Sequence, residues 1–565
     1  GDNKPMIDYA PVMLNQDGKP MVQFEMHDTE DANLVKYDML GLTSLDYIAD
    51  ALELIGSDYY SFEFDWNDKK TYDMLASGKN SGVFQADSNF AARVFTAVKP
   101  QNLHEVADCV AIGRPDSIKF LEPYVNAKFN GVKPEQIHPL LDDILSRTYG
   151  CLIYQEQLMK IFKVFASFSD GEADGVRKCV AKKQLDKLNK YLKMFEERAL
   201  KNGYDKQTIS KLIQFIKDNS AYMFNASHAV AYGITTYKTA YLRCNYPLQY
   251  MTAIINNQKT RDGSTDFKSV LQYIKACKDD GIIVTPPDVN VSGHKFTPDV
   301  EKNSIAYGLD LVKGLGKEAI NVVIANRPYT SYKDFINRSA MSIQKNHMNA
   351  LIKSGSFRNL IDKNKEYQAK LYFSRRFDER KEEKKPISKV NKTHIKLLLD
   401  EGLISPEDQN DKELCLKKFN LNRKSQSWNE YKEMYFNGTE ADYEMETLNA
   451  FLTIDPFENV VIPDWDSVSL EQVGYIGGYI VSIKETTVKS GKSVGKKMAF
   501  ININFNGKTA DIVVFSNKYQ KYNDILKTGK CVVCTVEKQG ELNGVLNTCV
   551  SLKDYLKTTK NIQEV

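Results

Sequence analysis

No run of eighteen apolar residues occurs in this 565-residue chain, so the sequence offers no membrane-spanning helix. The first residues, Gly1-Asp2-Asn3-Lys4-Pro5, have neither the basic start nor the apolar stretch of a secretory signal. They also lack an initiator methionine, which suggests a processed chain or the product of a split gene. Closely spaced cysteines are almost absent. Nine are scattered along the chain, and Cys531-Val532-Val533-Cys534 is the sole close pair. Without a second pair a zinc site is incomplete, so these two read as strand packing, and a reducing cytoplasm is the natural compartment. Charge of one sign is scarce too: a net +3 is too mild to demand a nucleic-acid partner, although clustered cations would permit one.

What is there is an ordinary mixture, 26% charged and 11% aromatic, in a chain long enough for three to five domains. Residues 1–60 read as short strands followed by a helix from Leu45 to Ile55. The acidic patch Glu63 to Asp68 caps a helix beginning at Lys69 more readily than it binds metal, since nothing nearby completes a site. Helices with short loops run to about residue 280, and Pro286-Pro287 marks a boundary. A compact helical unit reaches about 360. Residues 361–470 are helical and charge-dense, with Arg375 to His394 resembling a solvated helix end and linker. From about 472 the period changes to alternation, in Tyr475 to Val481, Met498 to Phe505, Asp511 to Phe515 and Cys531 to Val536. Turn-rich segments between these runs describe a small five-stranded β-barrel.

Five short segments carry chemistry. In Leu34-Val35-Lys36-Tyr37-Asp38-Met39-Leu40-Gly41-Leu42, Lys36 and Asp38 would share one face of a strand, either as a surface pair or with Asp38 holding a metal. Gly82-Val83-Phe84-Gln85 precedes Ile112-Gly113-Arg114-Pro115. Tyr154-Gln155-Glu156-Gln157 precedes Gly171 to Lys178 and Lys182-Lys183, where Arg177, Lys178 and Lys182 converge on one side of a helix. Grouped cations suit a triphosphate, unless the face is simply solvated. Phe224 to Tyr232 predicts a helix capped by Asn225 or Ser227, with His228 and Tyr232 one turn apart. The last segment is Val312-Lys313-Gly314-Leu315-Gly316-Lys317, where paired glycines between helices let backbone amides reach a phosphate, or merely end a helical hairpin.

Taken in this order, the segments resemble the bacterial family C replicative DNA polymerases, the DNA polymerase III alpha subunit type. The resemblance extends over nearly the whole chain. It implies a multidomain α+β protein: the second part of a β palm (1–60), mostly helical fingers (61–285) and a tandem helix-hairpin-helix domain (286–360). A helical, charge-rich extension (361–470), an OB-type barrel (471–555) and a tail (556–565) complete it. The implied activity is template-directed addition of dNTPs to a primer 3′ end, with two Mg2+ ions bound by three aspartates. Asp38 matches the third aspartate and Lys36 a neighbouring lysine. No Pro-Asp-x-Asp-x-Asp strand carrying the other two occurs in the sequence, so a further polypeptide or segment is expected to supply that half of the palm.

The resemblance also places Arg114, Arg177, Lys178, Lys182 and His228 at the incoming nucleotide. Tyr154 and Gln155 fall near the template, and Lys313, Gly314, Gly316 and Lys317 on duplex DNA. Lys484, Lys489, Lys492, Lys496 and Lys497, with Tyr475, Tyr479, Phe500 and Phe505, suit single-stranded template on the barrel. The run from Gln368 through Leu371 to Phe373 is either a sliding-clamp peptide or the buried face of a helix. Departures from the family pattern are Lys178 for an arginine, Asp116-Ser117 for Gly-Pro, and Ala226 for a lysine. A non-catalytic DNA-binding module derived from such an enzyme, or a repair protein with hairpin and OB domains, are the competing readings.

Overall fold

The computed structural model describes residues 4–563 except 16–17, 33, 35–40, 133–135, 182–183, 221, 261–262, 383, 459, 489–492 and 506. The chain forms two compact units, Gly1–Asp46 and Tyr47–Val565. In the first, Val12–Leu14 pairs antiparallel with Pro20–Val22, and the helix Met26–Asp31 follows. Three-residue strands cannot enclose a core, and Met13, Leu14 and Met21 are exposed. Lys36 and Asp38 lie outside the described residues.

The second unit is mostly helical and ends in a barrel. Its helices begin where side chains can satisfy their first amides. Asp68 caps Lys69–Ser77, accepting from Lys70 N at 3.2 Å, as the acidic patch suggested. The same carboxylate accepts from Thr71 Oγ1 and, at 2.8 Å, from Asn245 Nδ2 at the far end of the helix Ala226–Asn245. Nearby, Trp66 stacks on Tyr237 with centroids 5.4 Å apart.

At the centre of one core lies the helix Leu103–Ile112, buried at every position from Glu105 to Ile112 and surrounded by Leu75, Phe95, Tyr124 and Tyr237. The helix Ala226–Asn245 packs on it at Gly233, where a Cβ would sit 3.1 Å from the Ala107 Cα. Any Cβ there would be tighter than most real contacts, so glycine lets the two helices approach closely. A second core, built from Leu158, Phe162, Phe165, Phe195 and Leu212, joins the helices between 155 and 220. The third runs from Met251 through Val289, Ile320, Leu351 and Phe357 to Phe373, Trp428 and Leu448. It crosses both 285 and 360, where changes in sequence pattern suggested boundaries. It also includes a small sheet, with Ser304–Ala306 between parallel Ile283–Thr285 and antiparallel Thr297–Asp299. Strands of three residues carry no readable period, so this segment had looked wholly helical.

The barrel strands are Val473–Thr487, Lys497–Phe505, Lys508–Val514, Cys531–Gly540 and Asn543–Ser551. Each pairs antiparallel with its neighbour except Lys508–Val514 with Asn543–Ser551, whose parallel pairing closes the cylinder. That order, with the helix Ser516–Tyr522 between the third and fourth strands, is the OB arrangement. Ile476, Ile501, Ile512, Val532 and Cys534 fill the interior, and Trp465 plugs it from outside the strands, its Nε1 donating to Glu541 O at 2.8 Å. The helix Leu552–Gln563 follows the last strand and runs into the stretch from 556 where a tail had been expected.

Candidate nucleotide and DNA interface

Arg114 lies just past the helix Leu103–Ile112, after its C-cap Gly113. Its guanidinium carbon lies 3.4 Å above the centroid of the Phe224 ring. The Phe224 ring meets His228 edge-on at 5.3 Å, His228 lies against Tyr232 at 4.1 Å, and Tyr232 contacts Phe84 at 5.1 Å. A cation and four rings thus form one continuous ladder. The sequence anticipated part of it, since Asn225 caps the helix by accepting from His228 N at 2.8 Å, which sets His228 and Tyr232 one turn apart. The Arg114–Phe224 contact joins residues distant in sequence, so no local period could reveal it.

Stacking occupies the face of a guanidinium and leaves its N–H edges in the ring plane. Among the described residues Arg114 donates a single long bond, 3.4 Å, from Nη2 to Ala111 O, and its buried Nε has no hydrogen-bond partner there. Burial lowers its pKa from the ordinary value, opposed by Asp116, yet an arginine so placed stays cationic at neutral pH. The base of the ladder is fixed by Glu156, whose carboxylate accepts from Asn225 Nδ2 at 3.1 Å and Ala226 N at 2.9 Å.

Tyr154 and Gln155 are not placed to read template with their side chains, being 2% and 8% exposed. The Tyr154 hydroxyl donates to Asp108 Oδ1 at 2.6 Å, and the Gln155 amide donates to Phe224 O at 2.8 Å. Both hold the core together; a polar-looking turn concealed a buried tyrosine and glutamine.

On the helix Asp170–Ala181, Arg177 Nε and Lys178 Nζ converge on one carboxylate, Asp174, at 2.8 and 3.1 Å. Their spacings of three and four residues were readable in the sequence but had been assigned to phosphate. The two cations hold the Asp174 carboxyl below its ordinary pKa, Arg177 through its hydrogen bond first. Lys182 lies outside the described residues.

In the hairpin, Gly314 takes φ +88° and Gly316 caps the helix Lys317–Ala325 without a side-chain hydrogen bond, its Cα side facing the His347 ring. Lys313 and Lys317 are exposed, while the Lys313 amide donates to Thr447 O at 2.8 Å. On the barrel, Tyr475 and Phe500 face outward, whereas Tyr479 and Phe505 are buried. Lys496 is exposed, Lys497 pairs with Glu485 at 2.8 Å, and Lys489 and Lys492 fall outside the described residues.

Of the two readings of the run from Gln368 to Phe373, the burial fits the inward face of a helix. Gln368 and Phe373 are 4% and 2% exposed; Phe373 packs on Trp428 and Tyr431, and Gln368 Nε2 donates to Lys363 O. Leu371 alone is exposed, at 38%, so the anchors already fill this chain's own core. Among the described residues no three His, Cys, Asp or Glu side chains group closely enough to hold a metal ion, so they do not by themselves make a magnesium site. Nor does any described helix have the length and apolarity to cross a membrane.

Helical fingers joined to a hairpin motif define the class. Residues 43–203 match the bacterial DNA polymerase III alpha subunit finger domain, and residues 281–368 match a helix-hairpin-helix motif. The chain is 30% identical over 556 residues to the DNA polymerase III subunit alpha of Borreliella burgdorferi, covering 94% of this chain and 45% of that protein. Against the Aquifex aeolicus subunit the values are 29% over 542 residues, 94% and 43%; against that of Treponema pallidum, 35% over 364, 62% and 30%. The chain therefore spans less than half the length of these relatives. It is a homologue of the DNA polymerase III alpha subunit across the fingers and helix-hairpin-helix region.

Proposed function

We propose that this chain carries the nucleotide- and DNA-handling part of a DNA-directed DNA polymerase. It adds dNTPs to a primer 3′ end when combined with a palm segment bearing two further carboxylates beside Asp38. Arg114 carries the reading: a half-buried guanidinium stacked on Phe224, with its terminal Nη groups toward the open side, suits a triphosphate oxygen. His228, farther along the ladder, is a second nucleotide contact, and Lys36 and Lys182 add charge. Lys313 and Lys317, beside the amides of Gly314 and Gly316, grip duplex DNA behind the nucleotide. Lys492, Lys496 and Lys497 receive single-stranded template at the barrel.

A second reading, a DNA-binding module without catalysis, is favoured by one observation. Arg177 and Lys178 share the single carboxylate of Asp174, which offsets one of their two charges, so that helix offers less positive charge than its sequence implies. Primer extension separates the two readings. With a palm segment carrying the two carboxylates supplied, the chain extends a primer and Asp38→Ala abolishes extension. Full activity of Asp38→Ala removes the metal assignment. Affinity for primer-template that does not fall with rising salt sinks both readings.

A further inference from the structure

Asp108 is a buried carboxylate that the nucleotide reading leaves unused. It sits on the helix Leu103–Ile112, wholly enclosed, and three separate segments donate to it. Tyr154 Oη and Arg147 Nη1 reach Oδ1 at 2.6 and 3.3 Å, and Tyr124 Oη reaches Oδ2 at 2.9 Å. The Arg147 guanidinium also lies over the Tyr154 ring, 5.0 Å from its centroid. A carboxylate enclosed without such donors would be strongly disfavoured, so the network is all-or-none in character.

The contacts continue in a circuit. Tyr154 and Phe224 form a parallel bridge, in which Gln155 N donates to Phe224 O and Phe224 N donates to Ile153 O, each at 2.8 Å. The Phe224 ring supports Arg114, and Arg114 returns to the end of the helix that carries Asp108. Asp108 and Arg114 are thus joined twice, once along the chain and once through Tyr154 and Phe224.

We propose that Asp108 is a positioning residue for Arg114: by holding Tyr154 it fixes the height of Phe224 and so the place where the guanidinium presents its N–H edges. The inference rests on the reading of Arg114 as a triphosphate contact. Loss of the Asp108–Tyr154 bond frees Phe224 to shift, and the stacked guanidinium shifts with it. Arg177, held by Asp174 on another core, lies outside the circuit and serves as an internal control.

Phenylglyoxal labelling of the full chain, read by peptide mass spectrometry, tests this. In Asp108→Asn, and in Tyr154→Phe, which deletes only one hydroxyl, labelling of Arg114 rises severalfold while that of Arg177 stays unchanged. If Asp108→Asn unfolds the core, labelling rises at both arginines, and Tyr154→Phe then decides. An Arg114 rate equal to wild type in a folded Tyr154→Phe overturns the positioning role. Protection of wild-type Arg114 by added dATP with Mg2+, in the chain supplemented with the palm segment, tests the underlying reading separately. Its absence overturns that reading, and with it the purpose assigned to Asp108, whatever the labelling rates show.

Discussion

At Arg114 one side chain has two kinds of surface with different partners. The face rests on Phe224, an interaction of about 0.5–2 kcal/mol when partly desolvated. The terminal end of the guanidinium remains for an anion. Arg114→Ala removes both, and the apparent KM for dNTP in the palm-supplemented chain should rise roughly ten- to thirtyfold, ~1.4–2 kcal/mol, with primer-template affinity retained. Arg114→Lys keeps charge but loses the planar stack, and should fall between. Equal KM for all three proteins would remove Arg114 from the nucleotide site. What could be read at this scale was residue type; what could not was company. His228 and Tyr232 were legible as neighbours because a helix dictates it. Phe224 under Arg114, and Tyr154 against Asp108, depend on how distant segments pack.

Two helices illustrate how an element sets the site. Along Ala226–Asn245, Gly233 meets Ala107 so closely that any Cβ must push the helices apart. Gly233→Val should cost about 1–3 kcal/mol by overpacking and displace His228 and Tyr232 relative to Arg114. Thermal melting reads the first effect and nucleotide KM the second. Asp170–Ala181 begins with a reciprocal cap: Ser169 N donates to Glu172 Oε2 at 2.9 Å, and Glu172 N donates to Ser169 Oγ at 3.3 Å. Hydrogen bonds from Arg198, 2.7 and 3.0 Å, then bring the Glu172 pKa down to about 2 from an ordinary 4.5. Because the folded value is the lower one, this stabilisation is fully present above about pH 4.5 and is lost as pH falls toward 2. Glu172→Gln should flatten the melting curve's pH dependence across that window; an unchanged slope counts against the assignment. The Ser169-to-Glu172 cap is local in sequence, whereas the arginine partner, Arg198, lies on the next helix, Leu185–Lys201.

For the molecule as a whole, where the cores lie decides what can be separated. The sequence pattern located the barrel because alternation is a strong signal, yet its boundary at 471 falls after Trp465, which belongs to the barrel core. Lys538 Nζ reinforces that attachment, donating to Trp465 O and Val468 O at 3.0 and 2.8 Å. A fragment beginning at 461 should unfold cooperatively in urea. One beginning at 471 should be weaker by about 3–5 kcal/mol, the loss expected for a buried tryptophan. Equal stability of the two fragments would show that Trp465 is peripheral. At 285 and 360 proline pairs and charge runs mark changes in the chain's local character, but a core forms wherever apolar faces meet. Met251, Leu351 and Phe373 belong to one core that spans both positions.

The three tryptophans of the chain fall one to each of three regions: Trp66 exposed on Tyr237, Trp428 within the central core, and Trp465 sealed against the barrel. The protein thus contains a separate optical reporter for each region. Single-tryptophan versions, each retaining one indole, would let emission colour follow the order in which fingers, central core and barrel open during denaturation.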